Sequence, residues 1–169
     1  MLSEKLLNEL NLQIKHELAS ANYYLAMAAH CASEDLGGFA HFFMIQGDEE
    51  RFHAMKFYNF INDLGGKVKI YGFEDPRNDF QSLEEVFTAA LKHEQFVTGR
   101  IHTLLDLANQ EKHYPTISFL QWFVDEQVEE EASMNQILSK IKRLGEDNPG
   151  IYMLDDELAK RTFTPPAAE

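Results

Sequence analysis

The chain has 169 residues, of which 44% are hydrophobic and 25% are charged, and these values suit one globular domain with a sizeable core. Its formal net charge of −13 at pH 7 disfavours binding to nucleic acid or to an anionic membrane and favours cations as partners. No apolar run approaches the roughly 18 residues that a membrane-spanning helix needs, so no such helix is predicted.

The N-terminal residues lack a basic stretch followed by an apolar one, so no secretion signal is predicted. Cys31 is the single cysteine, which rules out a disulfide framework within the chain and favours a reducing compartment. Together these features predict a cytoplasmic protein.

Two long helices are predicted in the first half, because apolar residues recur there at steps of three and four. They cover about 4–34 and 38–64, and the pair Gly65-Gly66 ends the second. Residues 66–81 have no helical period. When extended, they could run back along a helix about 40 Å long, which indicates a crossover connection.

The second half repeats this arrangement. Ser82 and Glu85 form a capping box that opens a third helix over about 83–111. A fourth helix is predicted over about 116–144 and a short fifth helix over about 149–161. The sequence therefore predicts an all-α four-helix bundle with one long crossover and a short C-terminal helix.

Every long helix carries polar residues near its middle, on the face that its apolar stripe predicts to be buried. A buried carboxylate is costly unless it is paired or bound to a metal, and several converging carboxylates would repel one another. Two divalent ions would neutralise four carboxylates, and carboxylate with imidazole suits iron or manganese, with zinc as an alternative. The residues in these positions are Glu17, Gln46, Glu50, His53, Glu94, Gln127 and Glu130.

The two halves of this constellation mirror each other. The separation between Glu17 and Glu50 is repeated between Glu94 and Gln127. Each half then adds a ligand-type residue one helical turn further on, which predicts a pseudo-two-fold site for two metal ions shared between helix pairs. The two added residues are His53 and Glu130.

A second acidic group lies beside this site. Glu126, Glu129 and Glu130 share one face of the fourth helix, and Glu49 adjoins Glu50. Such a charge run is usually a solvated helix face. The alternative is a third, weaker cation site that shares Glu130.

The aromatic residues and the remaining histidines are less informative. Tyr24 follows Glu17 by one heptad, so it could hydrogen-bond to a metal-binding carboxylate, donate an electron or simply fill the core. Trp122 could be redox-active, although packing is favoured. The other histidines lack the stripe phase and are expected at the surface or at interfaces: His16, His30, His41, His93, His102 and His113.

With these residues identified, the chain resembles the non-haem bacterial ferritins, which belong to the ferritin-like di-iron proteins, over essentially its full length. The matching elements are Glu17, Glu50-Arg51-Phe52-His53, Glu94, Gln127-Val128-Glu129-Glu130 and the short fifth helix after Pro149.

The resemblance implies an iron store with ferroxidase activity, in which dioxygen or hydrogen peroxide oxidises Fe(II) and Fe(III) mineral fills a 24-subunit cage. It implies one iron with Glu17, Glu50 and His53, and another with Glu94, Glu130 and a bridging Glu50. No nucleic acid or membrane partner is implied.

The resemblance also assigns residues around the two irons. Gln127 would lie near the oxygen-binding side without ligating, and Tyr24 is counted with the catalytic set. A third iron site would use Glu49, Glu126, Glu129 and Glu130.

The chain departs from the symmetric di-iron pattern in its second half, which has Gln127-x-x-Glu130 instead of Glu-x-x-His. This argues against a bacterioferritin, which uses a second histidine. Bacterioferritins also have a haem-ligating methionine where this chain has Arg51, so no haem is expected. This asymmetry predicts that the second iron is held more loosely. The alternatives are a metal-buffering cage without catalysis and a soluble di-iron oxidase without storage. A DNA-binding mini-ferritin is disfavoured, because the chain lacks a basic tail.

Overall fold

The computed structural model describes residues 2–145 and 148–165, and within these ranges it contains five α-helices and no β-strand. In the same ranges, no helix is both long enough and apolar enough to cross a membrane. The all-α bundle predicted from the sequence is confirmed. The helices are α1 (Glu4–Ser33), α2 (Gly37–Asp63), α3 (Leu83–Gln110), α4 (Tyr114–Leu144) and α5 (Gly150–Leu158).

Two of the long helices start at a serine cap. The Ser3 hydroxyl accepts from Leu6 N at 3.0 Å, which satisfies one of the free N–H groups in the first turn of α1. Ser82 does the same for α3 by accepting from Glu85 N at 3.1 Å, and the Glu85 carboxylate accepts from Gln81 N at 2.7 Å.

The bounds of α4 and α5 differ from those expected. α4 begins at Tyr114, two residues earlier than expected, because Pro115 in the first turn has a fixed φ and needs no hydrogen-bond partner there. α5 ends at Leu158 rather than at 161, since the chain continues in single turns in which Arg161 N donates to Leu158 O.

The helices pack as two pairs, α1 with α2 and α3 with α4, while α5 packs mainly on α2. The crossover between the pairs is fastened to α1 by Asn11, which donates to Lys67 O at 3.2 Å and accepts from Lys69 N at 2.6 Å. Gly47 allows α1 and α2 to approach closely, because a Cβ there would lie 3.3 Å from Ala21 O.

The core consists of two hydrophobic parts with a polar layer between them. One part contains Phe43 and Phe87 and is covered by α5, whereas the other contains Phe57 and Phe123. On each long helix the buried carboxylates and His53 fall between the stretches that supply these two parts. The buried polar side chains of this layer are Gln13, Glu17, Ser20, Gln46, Glu50, His53, Glu94, Gln127 and Glu130.

Candidate metal centre

The polar layer is shielded from solvent on every helix that contributes to it. Glu17 and Glu50 are each 1% exposed, Glu94 is 0% exposed and Glu130 is 5% exposed. Isolated carboxylates are rarely buried to this degree, because the cost of removing their charge from water is large. Their burial therefore requires protons, hydrogen-bond donors or cations.

The first half of the layer forms a compact set of ligand atoms. Glu17, Glu50 and His53 each offer one such atom, and these three atoms all lie within 4.8 Å of one another. His53 Nδ1 lies 3.4 Å from Glu50 Oε2, one helical turn away on α2. Two carboxylate oxygens and an imidazole nitrogen at this spacing match the donor types that iron, manganese and zinc accept.

Two oxygens in this set have no hydrogen-bond partner among the described residues. They are Oε2 of Glu17 and Oε2 of Glu50. Their nearest polar neighbours belong to the same set, since His53 Nδ1 lies 3.4 Å from Glu50 Oε2 and the Glu17 and Glu50 carboxyls interact with each other. The other Glu17 oxygen accepts from Gln13 Nε2 at 2.9 Å. A buried acceptor without a donor costs free energy, which a bound cation would recover. The residues present thus fit a metal ion as substrate.

The second half of the layer is arranged differently. Glu94 accepts hydrogen bonds from the Tyr24 hydroxyl and from Gln127 Nε2, the latter at 3.1 Å. Glu130 Oε2 accepts from Gln46 Nε2 at 2.8 Å. Neutral donors from the protein therefore engage both carboxylates of this half.

Burial and mutual repulsion raise the pKa values of three carboxyl groups in the layer, those of Glu17, Glu50 and Glu94. Burial, followed by the charge of Glu50, raises the pKa of Glu17 well above its ordinary range. Burial, followed by the charges of Glu94 and Glu130, does the same to the pKa of Glu50. Burial and the charge of Glu130 raise the pKa of Glu94 to about 8. A cation that enters the layer must displace these protons.

The residues expected to form a third site are only partly brought together. Glu126 and Glu130 place ligand atoms within 4.8 Å of each other and of His53, a group that includes neither Glu49 nor Glu129. Glu49 instead forms an ion pair with Arg161 at 2.6 Å, and Glu129 is exposed.

Three neighbours of the centre were not found by sequence reasoning. Gln13 lies one position off the apolar stripe, and Thr98 accepts from Gln127 Nε2 at 3.3 Å. His93, expected at the surface or at an interface, is half-buried within the chain. The packing of α1 on α3 half-buries its ring, which lies 2.6 Å from Ser20 Oγ, and burial lowers the pKa of His93 to about 4.

The two aromatic residues considered from sequence lie next to the centre. The Tyr24 hydroxyl donates to Glu94, so the tyrosine contacts the carboxylate layer directly. The Trp122 ring is 5.5 Å from the His53 ring, and Lys56 Nζ lies 4.1 Å from the Trp122 ring centroid. The cation over the indole disfavours removal of an electron from Trp122.

Comparison with known proteins places this geometry in a family. A profile described as a ferritin-like domain matches residues 7–144. A bacterial non-heme ferritin of Staphylococcus aureus is 47% identical over 163 residues, which make up 96% of this chain and 98% of that protein. A bacterial non-heme ferritin of Staphylococcus saprophyticus is 45% identical over the same shares of both chains.

Solved structures agree with the sequence matches. An engineered closed form of the Archaeoglobus fulgidus ferritin has a TM-score of 0.95 at 44% identity, covering 97% of this chain and all of that chain (100%). An open-pore ferritin of the same archaeon has a TM-score of 0.93 at 44% identity, covering 95% of this chain and 98% of that one. The resemblance carried by the residues is confirmed: the chain belongs to the ferritin family.

Proposed function

We propose that this ferritin stores iron and has ferroxidase activity, so that Fe(II) is oxidised by dioxygen in the polar layer and Fe(III) is stored as mineral in a multisubunit cage. The observation that carries the proposal is the compact set formed by Glu17, Glu50 and His53. A cation bound there would gain the most free energy, because two carboxylate oxygens of this set lack a hydrogen-bond donor.

Two Fe(II) ions are proposed as substrates in each chain. One would bind to Glu17, Glu50 and His53, and the other to Glu94 and Glu130, with Glu50 bridging them. The bridging role is supported by electrostatics, since Glu94 and Glu130 are the charged neighbours that most strongly raise the pKa of Glu50. The cage is proposed to contain 24 subunits, and a third iron is proposed at the acidic group beside the pair.

The chain's own residues prepare the layer for oxidation. The hydrophobic parts of the core on either side limit the access of water, while Gln127 and Tyr24 hold the Glu94 carboxylate in position. Binding of Fe(II) favours proton release from Glu17, Glu50 and Glu94, because their raised pKa values favour the protonated forms in the metal-free protein. Each Fe(II) then supplies one electron to dioxygen.

Stopped-flow measurement of Fe(II) oxidation tests the site, with two Fe(II) added per chain. Glu17→Gln should slow the initial rate on the order of a hundredfold, because it removes a charged ligand oxygen from the compact set. Asp106→Asn removes the same charge from an exposed position on α3 and should leave the rate unchanged. Equal initial rates in native protein and Glu17→Gln would refute the site assignment.

Two further measurements separate this function from its alternatives. A metal-buffering cage without catalysis would consume dioxygen no faster than buffer does when Fe(II) is added. A di-iron oxidase without storage would show no dense mineral core by electron microscopy after iron loading. We expect rapid dioxygen consumption and hollow shells with dense cores.

A further inference from the structure

The segment after α5 lies against α2 and brings a positive charge to the metal centre. We refer to residues 159–165 as the C-terminal strap. His41 Nε2 donates to Arg161 O at 2.8 Å, and the Arg161 guanidinium lies 4.4 Å from the Phe42 ring centroid. The Phe163 ring packs edge-on against Phe52 at 5.7 Å. The strap is thus fastened at three points along one helix.

The Arg161 side chain ends on Glu49. Its Nη2 lies 2.6 Å from Glu49 Oε2, and the two side chains are only 22% and 12% exposed, respectively. An ion pair this well shielded is much less screened by salt than the usual surface pair. Arg161 Nη1 is also buried, and it has no hydrogen-bond partner among the described residues.

Glu49 belongs electrostatically to the acidic group beside the di-iron layer. The charges of Glu130 and Glu126 repel the Glu49 carboxylate, and the charge of Arg161 attracts it. Glu126 and Glu130 converge with His53, whereas the Glu49 carboxylate is held by the guanidinium. Arg161 therefore already supplies a cation to this group.

We propose that Arg161 is a built-in competitor for the third cation, which gains Glu49 as a ligand only when it displaces the guanidinium. This inference rests on the proposed function, because the third cation position belongs to the iron path of that function. Binding of a metal ion at this position would free Arg161 and loosen the C-terminal strap. By reciprocity, release of the strap would strengthen binding of the third cation.

Anaerobic calorimetric titration with Fe(II) of the assembled protein tests the competition. Arg161→Gln removes the competing charge while keeping a polar side chain, so the affinity for the third Fe(II) should rise on the order of tenfold. Lys160→Gln is the matched control, since it removes the same charge from the adjacent, exposed residue. It should leave the affinity unchanged, and Arg161→Lys should retain most of the native competition.

Hydrogen exchange of the strap provides a second readout that does not depend on oxidation. Titration of native protein with Zn²⁺ beyond two ions per chain should increase exchange in residues 159–165, where Arg161 N donates to Leu158 O at 3.1 Å. In Arg161→Gln the strap should exchange quickly before any metal is added. This measurement also reports whether the variant has kept its helices.

Several results would overturn the inference. One is an unchanged affinity for the third Fe(II) in Arg161→Gln, and another is an equal rise of that affinity in Lys160→Gln. A third is hydrogen exchange of the strap that does not change when Zn²⁺ is added. Binding of only two Fe(II) in all forms would also overturn it, while leaving the proposed di-iron function intact. Failure of that function would appear separately, as the absence of the two tighter Fe(II) sites from native protein, and would remove this inference with it.

Discussion

In the pair α1–α2, Oε2 of Glu17 and Oε2 of Glu50 are buried without a hydrogen-bond partner, whereas in the pair α3–α4 the Glu94 carboxylate accepts from both Tyr24 and Gln127. The first pair also supplies the imidazole of His53, which lies within 4.8 Å of the ligand atoms of Glu17 and Glu50 and, in a second group, of those of Glu126 and Glu130. Without metal, the protein itself satisfies the second pair but leaves the first incomplete.

This difference has a consequence for metal binding. A cation in the first pair would recover the cost of unpartnered acceptors, while a cation in the second pair would find carboxylates that already have donors. Tyr24 on α1 and Gln46 on α2 supply part of these donors, so the first helix pair helps to satisfy the second. Unequal occupancy of the two positions is the expected outcome.

The largest effect is expected from Glu50→Gln, because both metal positions should lose a shared carboxylate. The affinity for two Fe(II), measured anaerobically by calorimetry, should fall by at least about a hundredfold. The metal-free protein should have a higher Tm. The variant removes the buried Glu50 carboxyl, which in native protein lies close to the buried carboxyls of Glu17 and Glu94, whose pKa values are also raised. Loss of affinity at one position only would show that Glu50 does not bridge.

The next largest effect is on the pH dependence of stability. Raised pKa values make the folded, metal-free protein hold protons that the unfolded chain has lost above about pH 4.5, so the free energy of unfolding falls as pH rises towards 8. His93 acts oppositely, but only between its folded pKa of about 4 and the ordinary histidine pKa of 6.5. The window from pH 6.5 to 8 therefore isolates the carboxyls.

Calorimetric melting in this window measures the effect. The Tm of metal-free protein should fall by about 4 °C per pH unit for each carboxyl proton that the folded protein retains, since each such proton contributes roughly 1.4 kcal/mol per pH unit. Protein saturated with Zn²⁺ should show a flat profile, because its ligands are already deprotonated. A metal-free Tm that stays constant or rises between pH 6.5 and 8 would contradict the raised pKa values.

Gln127→Glu is expected to reduce the difference between the two pairs. It adds a carboxylate next to Glu94, so the second Fe(II) should bind about tenfold more tightly while the first changes little. The metal-free protein should melt at a lower temperature, because a donor 3.1 Å from Glu94 Oε2 becomes a repelling charge. Gln127→Met, which adds no ligand, should not strengthen binding of the second Fe(II).

Much of this structure could be predicted from the helical spacing of apolar residues in the sequence. A helix fixes which residues share its buried face, so the burial of Glu17, Glu50, His53 and Glu94 could be predicted without coordinates. The repeat between the halves gave the same information a second time. The ligand roles of these residues stay a prediction until metal titrations test them.

The period could not reveal contacts that depend on how helices or irregular segments meet. His93 is shielded because α3 packs on α1, and Arg161 reaches Glu49 from a segment with no period of its own. Gln13 lies one residue off the stripe that contains Ile14, yet its long side chain still reaches Glu17. Such contacts depend on side-chain length and interhelical distance, which spacing along one helix does not encode.

Gln13→Met should have the smallest effect on Fe(II) binding, and that effect should be confined to the first pair. Gln13 Nε2 is the donor to Glu17 Oε1, and this hydrogen bond opposes the rise in the pKa of Glu17. Without it, the first Fe(II) must displace a more tightly held proton, so its affinity at pH 7 should fall about fivefold, the equivalent of one hydrogen bond of about 1 kcal/mol.

Stability should change little in Gln13→Met, because the native Gln13 Oε1 is itself buried without a partner and methionine fills a similar volume. The binding of the second Fe(II), in the same anaerobic titration, should be unaltered, since Glu94 keeps its donors Tyr24 and Gln127. If both Fe(II) affinities fell together, the two helix pairs would act as one coupled ligand set, and the contrast between them would not govern binding.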